Sequence, residues 1–108
     1  MKILITGGAG FIGSHLADSL IADGHKISVI DNLSTGKYSN MKHLISNPNF
    51  SYTIDSVLNK DVLEKLIKNC DQIYHLAAAV GVKYIIDNPL LSLKTNIAGT
   101  ENVLELAN

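Results

Sequence analysis

The chain has 108 residues, of which 46% are hydrophobic and 18% charged, so it can bury the core of one small domain and is too apolar for intrinsic disorder. Nine lysines, no arginine and ten acidic residues leave a net charge of −1, which gives no electrostatic case for nucleic acid or an anionic membrane. The single cysteine, Cys70, excludes an intrachain disulfide and a thiolate-rich zinc site, and makes a reducing, cytoplasmic location the expectation.

Lys2 to Thr6 (KILIT) is a continuous apolar run, the mark of a strand buried on both faces of a parallel sheet. It is too short for the apolar region of a signal peptide, and no run approaches the ~20 apolar residues of a membrane span. Phe11 to Asp23 has helical spacing, with Ile12, Leu16 and Leu20 on one face, Ala17 and Ile21 beside them, and Gly24 as the terminating glycine. Lys26 to Asp31 is a second strand, Asn32 to Lys37 a polar loop, and Met41 to Ile45 a weak helical turn. Phe50 to Ile54 is a third strand of aromatic and β-branched residues. Asn59 caps a helix whose stripe is Val62, Leu63, Leu66 and Ile67. Gln72 to Ala77 is a fourth strand running into a small-residue loop, Ala78 to Gly81. Asn88 and Pro89 then open a last helix, with Leu93, Ile97 and Leu104 expected on its buried side. The alternation predicts an α/β fold, a doubly wound parallel sheet with strand order 3-2-1-4.

Between the first strand and the first helix lies Thr6-Gly7-Gly8-Ala9-Gly10-Phe11-Ile12-Gly13, which satisfies G-x-G-x-x-G through Gly8, Gly10 and Gly13. Glycine serves a tight turn, close backbone approach to a pyrophosphate, and close packing of helix on strand. The free N–H groups of the following helix end suit a diphosphate. Asp31 closes the second strand, 21 residues beyond Gly10, the ~20-residue spacing at which a carboxylate meets adenosine ribose hydroxyls. A carboxylate there repels a 2′-phosphate, and with no arginine and only Lys37 nearby the cofactor expected is NAD, in preference to NADP.

TGGAGFIG, DNLSTG, Asp55 closing the third strand, and HLAAAVGVKYIIDNPLLSLKTNIAGTENVLELA together resemble the extended short-chain dehydrogenase/reductase family. More narrowly they resemble its NAD-dependent nucleotide-sugar epimerases and dehydratases, of the UDP-glucose 4-epimerase type, over essentially the whole chain. The resemblance implies a Rossmann-type fold in which Gly7, Gly10, Phe11, Ile12 and Gly13 hold the pyrophosphate. It implies that Asp31 and Asn32 bind the adenosine ribose, with Ser34, Thr35 and Gly36 lining that end. Asp55 and the backbone of Ser56 would contact adenine, and Leu76, Ala77 and Ala78 the nicotinamide ribose. Asn96 falls at a family position that mainly ties the last helix to the sheet.

Family chemistry needs a Tyr-x-x-x-Lys pair, whose lysine and the nicotinamide lower the tyrosine pKa, and the family carries it on elements after the fourth helix. Residues 1–108 are therefore expected to be an NAD-binding half-domain without catalytic residues, the parent enzyme transiently oxidising a nucleoside-diphosphate sugar. Tyr38 and Lys42 do spell the motif, but with four Tyr and nine Lys a chance match arises about one time in three, and the position is at the adenosine end. His15, His25, His43 and His75 show no metal-ligand spacing, and Cys70 reads as a small apolar residue. Two other readings remain: a non-catalytic dinucleotide-binding module, and an NAD-dependent reductase of the same superfamily. A fourth strand without an outer neighbour would be an open edge, so self-association through it is expected.

Overall fold

A computed structural model describes residues 1–78 and 82–108. The elements run β1 (Lys2–Thr6), α1 (Phe11–Ala22), β2 (Lys26–Asp31), 3-10 turns at Tyr38–Asn40 and Lys42–Leu44, β3 (Phe50–Ile54), α2 (Lys60–Lys68), β4 (Gln72–His75), α3 (Val82–Asp87) and α4 (Pro89–Ala107). The strands form one parallel sheet in the order β3-β2-β1-β4, as the right-handed crossover rule dictates. Its register sets Ile5 beside Val29 and Tyr74, and Thr6 beside Ile30 and His75.

Alternation along β1 and β2 sends side chains into two apolar layers. Ile3, Ile5, Ile27 and Val29 pack with Ala17 of α1 and with Met41, Leu44 and Phe50. On the opposite face Leu4 and Ile30 pack with Val57, Leu63 of α2 and Val103 of α4. Covering both faces is what makes β1 apolar on both, with Ile3, Leu4 and Ile5 all fully buried.

Several boundaries differ from the sequence expectation. α1 stops at Ala22, with Asp23 as its C-cap. β4 ends at His75, two residues earlier than expected: the Ala77 amide turns to the Thr6 hydroxyl at 3.0 Å, and the Leu76 amide is shared between that hydroxyl, at 3.0 Å, and the Thr6 carbonyl, at 3.1 Å. The helical turn expected at Met41 to Ile45 is a pair of 3-10 turns, and α3 was not foreseen. Of the expected small-residue loop, Ala79, Val80 and Gly81 lie outside the described residues. Asn59 does cap α2, its side chain accepting the Val62 amide. Asn88 precedes Pro89 at the start of α4 but makes no side-chain cap.

The largest correction concerns α4. Leu93, Ile97 and Leu104 are 57%, 52% and 67% exposed, and the buried positions are Ser92, Gly99 and Val103. The helix carries two stripes, one of small residues and one of large apolar ones, and the backbone comes too close to its neighbours for the large ones. A Cβ at position 99 would lie 2.6 Å from the Val57 side chain, so the small stripe docks and the large one faces outward.

Candidate functional site

The turn leaving β1 is closed by the Gly10 amide donating to the Gly7 carbonyl at 3.1 Å, and is tied to β2 by the Gly7 amide donating to the Ile30 carbonyl at 2.8 Å. Gly7 has φ +73°, a conformation costly for any other residue, and a Cβ there would lie 2.8 Å from the Ala77 nitrogen. A Cβ on Gly13 would collide with the Gly7 carbonyl oxygen. The start of α1 is therefore held directly against the end of β1 and the loop after β4. Gly10 is the N-cap without any side-chain hydrogen bond, and no acid stands in the first turn. The amides of Phe11, Ile12 and Gly13 thus lack an intrahelical partner, and a helix end of this kind favours an anion by ~0.3–1 kcal/mol. Phe11 and Ile12 carry large apolar side chains yet are strongly exposed.

Asp31, at the end of β2, is nearly buried. One of its carboxylate oxygens, Oδ2, accepts the Ala9 amide at 2.9 Å and the other, Oδ1, the Leu33 amide at 2.7 Å. The carbonyl of Ala9 in turn accepts the Lys37 amide at 2.9 Å and the Asn40 side-chain amide at 2.8 Å. The glycine turn and the Asn32–Lys37 loop are thereby locked together. Leu33 takes φ +61°, a strained value for a leucine. Ser34 donates its amide to Asn32 Oδ1 at 3.0 Å.

Beyond β3, the Asp55 amide donates to the Asp31 carbonyl at 3.2 Å. The Asp55 carboxylate accepts the Ser56 amide at 2.7 Å and the Asn59 side-chain amide at 3.0 Å. A cleft of about 270 Å³ runs over these strand ends. Gly7, Gly10, Phe11, Ile12, Gly13, Asp31, Asn32, Ser34, Thr35, Gly36, Asp55, Ser56, Leu76, Ala77 and Ala78 all line it, so the structure brings together every site residue named from the sequence. Among the described residues lining it there is no lysine, and Asp31 and Asp55 are its only charged groups.

Sequence reasoning missed Ile30, Val57 and Thr95, which also line the cleft, and Thr6, Asn40 and His75, which brace it. Ile30 is an apolar β2 position set beside Thr6 by the register, and Val57 lies in the turn between β3 and α2. Thr95 lies on the small-residue face of α4, with Ser92, whose buried hydroxyl has no hydrogen-bond partner among the described residues. Asn40 and His75 act across 31 and 69 residues of sequence, and no local pattern announces such pairings.

The remaining candidates stand elsewhere. Tyr38 packs edge-on against Tyr52 with ring centres 5.9 Å apart, and its side-chain hydrogen bond with Tyr52 raises its pKa, opposite to what a catalytic base requires. Cys70 donates to the Ile67 carbonyl, and burial, reinforced by the nearby Asp71 charge, pushes its thiol pKa up. His15 bonds the Phe11 carbonyl, His25 the chain's amino group and His43 the Asp18 carboxylate. The Asn96 carbonyl accepts the Thr100 hydroxyl. No cluster of three metal-ligating side chains occurs among the described residues, and no described helix is long and apolar enough to cross a membrane.

A parallel sheet ordered 3-2-1-4, with a glycine turn leading from β1 into α1, is a Rossmann-type α/β fold. The chain belongs to the family described as GDP-mannose 4,6 dehydratase, whose model matches residues 4–108, within the extended short-chain dehydrogenase/reductases. It is 49% identical over 106 residues to UDP-glucuronic acid decarboxylase 1 of Danio rerio, a match covering 98% of this chain and 24% of that protein. The chain thus spans about a quarter of the length of that relative. A dTDP-glucose 4,6-dehydratase of Streptomyces venezuelae, solved with NAD and TYD bound, superposes with a TM-score of 0.90 at 30% identity, over 99% of this chain and 35% of that one. A UDP-glucose 4-epimerase of Thermotoga maritima, solved with UDP-glucose, gives 0.85 at 38% identity, over 99% and 34%.

The Asp31 geometry makes a prediction about stability. Asp31→Ala leaves the buried Ala9 amide without an acceptor, so urea denaturation should show a loss of ~1–3 kcal/mol. A variant as stable as the original chain would mean that the carboxylate does not hold the two loops.

Proposed function

We propose that residues 1–108 form the NAD-binding half-domain of a nucleotide-sugar-converting enzyme, and that the cleft over the strand ends holds the dinucleotide. One observation carries this reading: an uncapped helix N-terminus and a carboxylate at the end of the next strand line the same cleft. The residues fit the cofactor. A Cβ at Gly7 or Gly13 would strike the backbone of the β4 loop or of the glycine turn itself, so these glycines let the start of α1 pack against the turn and present the amides of Phe11, Ile12 and Gly13 to a pyrophosphate, with Gly10 at the mouth. Each Asp31 oxygen already accepts one amide and keeps a second lone pair for the adenosine ribose hydroxyls, beside Asn32. Ser34, Thr35 and Gly36 border that end, Asp55 and Ser56 meet adenine, and Leu76, Ala77 and Ala78 border the nicotinamide ribose.

Two carboxylates and no cation among the described residues lining the cleft disfavour the extra phosphate of NADP. In the whole protein, bound NAD would supply reversible oxidation of a nucleoside-diphosphate sugar, and this part supplies binding, orientation and the local field. The 49% identity to a UDP-glucuronic acid decarboxylase, against 38% to the 4-epimerase, supports a decarboxylating parent acting on a UDP-sugar acid. No acid or base for that reaction is assigned within residues 1–108. The lone cysteine supports a cytoplasmic location.

Calorimetric titration tests the cofactor. NAD should saturate the chain and NADP should bind at least ~10-fold more weakly, about 1.4 kcal/mol. Gly10→Ala should weaken NAD to a similar degree without unfolding the chain, because the added methyl meets only the Gly7 carbonyl, at 3.3 Å. Absence of NAD binding with an intact circular-dichroism spectrum, or equal affinity for both cofactors, contradicts the reading.

Among the described strands β4 pairs with β1 alone, and the outer face of α4 presents Leu93, Ile97 and Leu104. Both features support self-association of these 108 residues through the β4 edge. Sedimentation should show a mass that rises with concentration, and a monomer throughout overturns it.

A further inference from the structure

His75 is the one histidine whose two ring nitrogens both engage side chains in the described structure, and the function proposed above leaves it unused. Nδ1 lies 2.7 Å from the Thr6 hydroxyl and Nε2 lies 3.1 Å from the Thr100 hydroxyl. Hydrogen-bond bookkeeping fixes the tautomer from both ends. Thr6 Oγ1 receives the amides of Leu76 and Ala77 at 3.0 Å each; both are donors, so the only acceptor bonded to that hydroxyl is Nδ1, which must take its hydrogen. At the other end the Thr100 hydroxyl donates to the Asn96 carbonyl at 2.9 Å, so Thr100 Oγ1 is free only to accept, and Nε2 must carry the ring proton. The chain of donors runs from the Leu76 and Ala77 amides through Thr6 to His75, and from His75 through Thr100 to the backbone of α4.

This relay ends on the cleft. Leu76 and Ala77 line it, and the Ala77 nitrogen is the atom that a Cβ on Gly7 would strike, at 2.8 Å. The hydroxyl that anchors those two amides is itself buried. A second proton on His75 would sit on Nδ1 and turn that nitrogen into a donor aimed at Thr6 Oγ1. The Thr6 hydrogen would then lose its acceptor, and three donors would converge on one oxygen that has two lone pairs.

We infer that His75 is a positioning residue for the cleft, resting on its reading as the dinucleotide site: the neutral imidazole holds Thr6, and through it the Leu76–Ala77 wall, and protonation releases that wall. Burial lowers the His75 pKa below its ordinary 6.5, so the holding form is the one present at neutral pH. The elements packed around the ring offer it no counter-charge among the described residues. On β1 the only charged side chain is Lys2, at the far end of the strand from Thr6. α4 carries Lys94, Glu101 and Glu105, and α2 behind it carries Lys60, Asp61, Glu64, Lys65 and Lys68. Lys60 pairs with Glu105 and Glu64 with Lys68, and burial is the sole cause of the shift at His75.

The test begins on the unmodified chain without cofactor, by nitrogen-resolved NMR of the imidazole and of the backbone amides. The expected result is the Nε2–H tautomer at neutral pH, with the Leu76 and Ala77 amide shifts following the His75 titration as pH falls. An Nδ1–H tautomer, or amides indifferent to that titration, overturns the inference. His75→Asn keeps an acceptor near the Nδ1 position and cannot titrate, so those amides should become insensitive to pH. NAD affinity should fall about tenfold in the original chain by about one pH unit below the His75 midpoint found by NMR, and stay within about twofold over the same range in His75→Asn. His15, His25 and His43 are the same in both proteins, so the comparison isolates His75. Equal pH profiles in the two proteins overturn the role of His75 and leave NAD binding intact. Failure of NAD to bind at any pH, with the amide coupling present, overturns the cofactor reading and leaves the positioning relay standing.

Discussion

The Asp31 carboxylate accepts the amides of Ala9 and Leu33, and the cleft depends on that bridge. One residue of the glycine turn is gripped at both its amide and its carbonyl, because the Ala9 carbonyl is held by Lys37 and Asn40. The same carboxylate offsets the left-handed backbone at Leu33. Such a conformation costs a non-glycine residue ~1–2 kcal/mol, against ~1.5–3 kcal/mol for a hydrogen bond to a charged group. An aspartate here is constrained twice, by the loops it joins and by the lone pairs it still presents to a ligand. Loss of ligand binding on removing it would therefore mix two causes, which is why a methyl at position 10 is the cleaner probe of the cleft.

The parallel sheet explains why one carboxylate can reach so much. All four strands end at the same edge, so the loops after β1, β2, β3 and β4 meet in one place. The strand order departs from the sequence order between β1 and β4, where a crevice opens. Gly7 lies on one side of that crevice and Ala77 on the other, close enough that no side chain fits at Gly7. Thr6 is buried where the strands meet and anchors both amides of the β4 loop. Two devices thus frame the cleft, a carboxylate at the β2 end and a hydroxyl–imidazole relay at the β4 end.

The fold and the cleft were legible in the sequence because their signals are local. A continuous apolar run marked β1, the glycine spacing marked the turn, and Asp31 followed at a fixed interval. α4 was misread because it carries two stripes of helical period, and hydrophobicity favours Leu93, Ile97 and Leu104. The docking face was decided by backbone clearance at Gly99, which hydrophobicity does not report. The end of β4 was misplaced because QIYHLA is uniformly strand-like, while the Thr6 hydroxyl takes the Ala77 amide and shares the Leu76 amide with the Thr6 carbonyl. His75 and Asn40 were passed over for the same reason: their partners lie far away in the chain.

The central claim is that the amides at the start of α1 and the loops after β2, β3 and β4 form one dinucleotide site. An amide shift map of the isotopically labelled chain on addition of NAD tests it most directly. The account predicts shifts concentrated at Phe11, Ile12 and Gly13, at Asn32 to Gly36, at Ser56 and at Leu76 to Ala78, with Leu93 and Leu104 on the outer face of α4 unmoved. A map centred on the groove of Asn88, Leu90, Leu91 and Lys94, with the glycine turn unaffected, would contradict it.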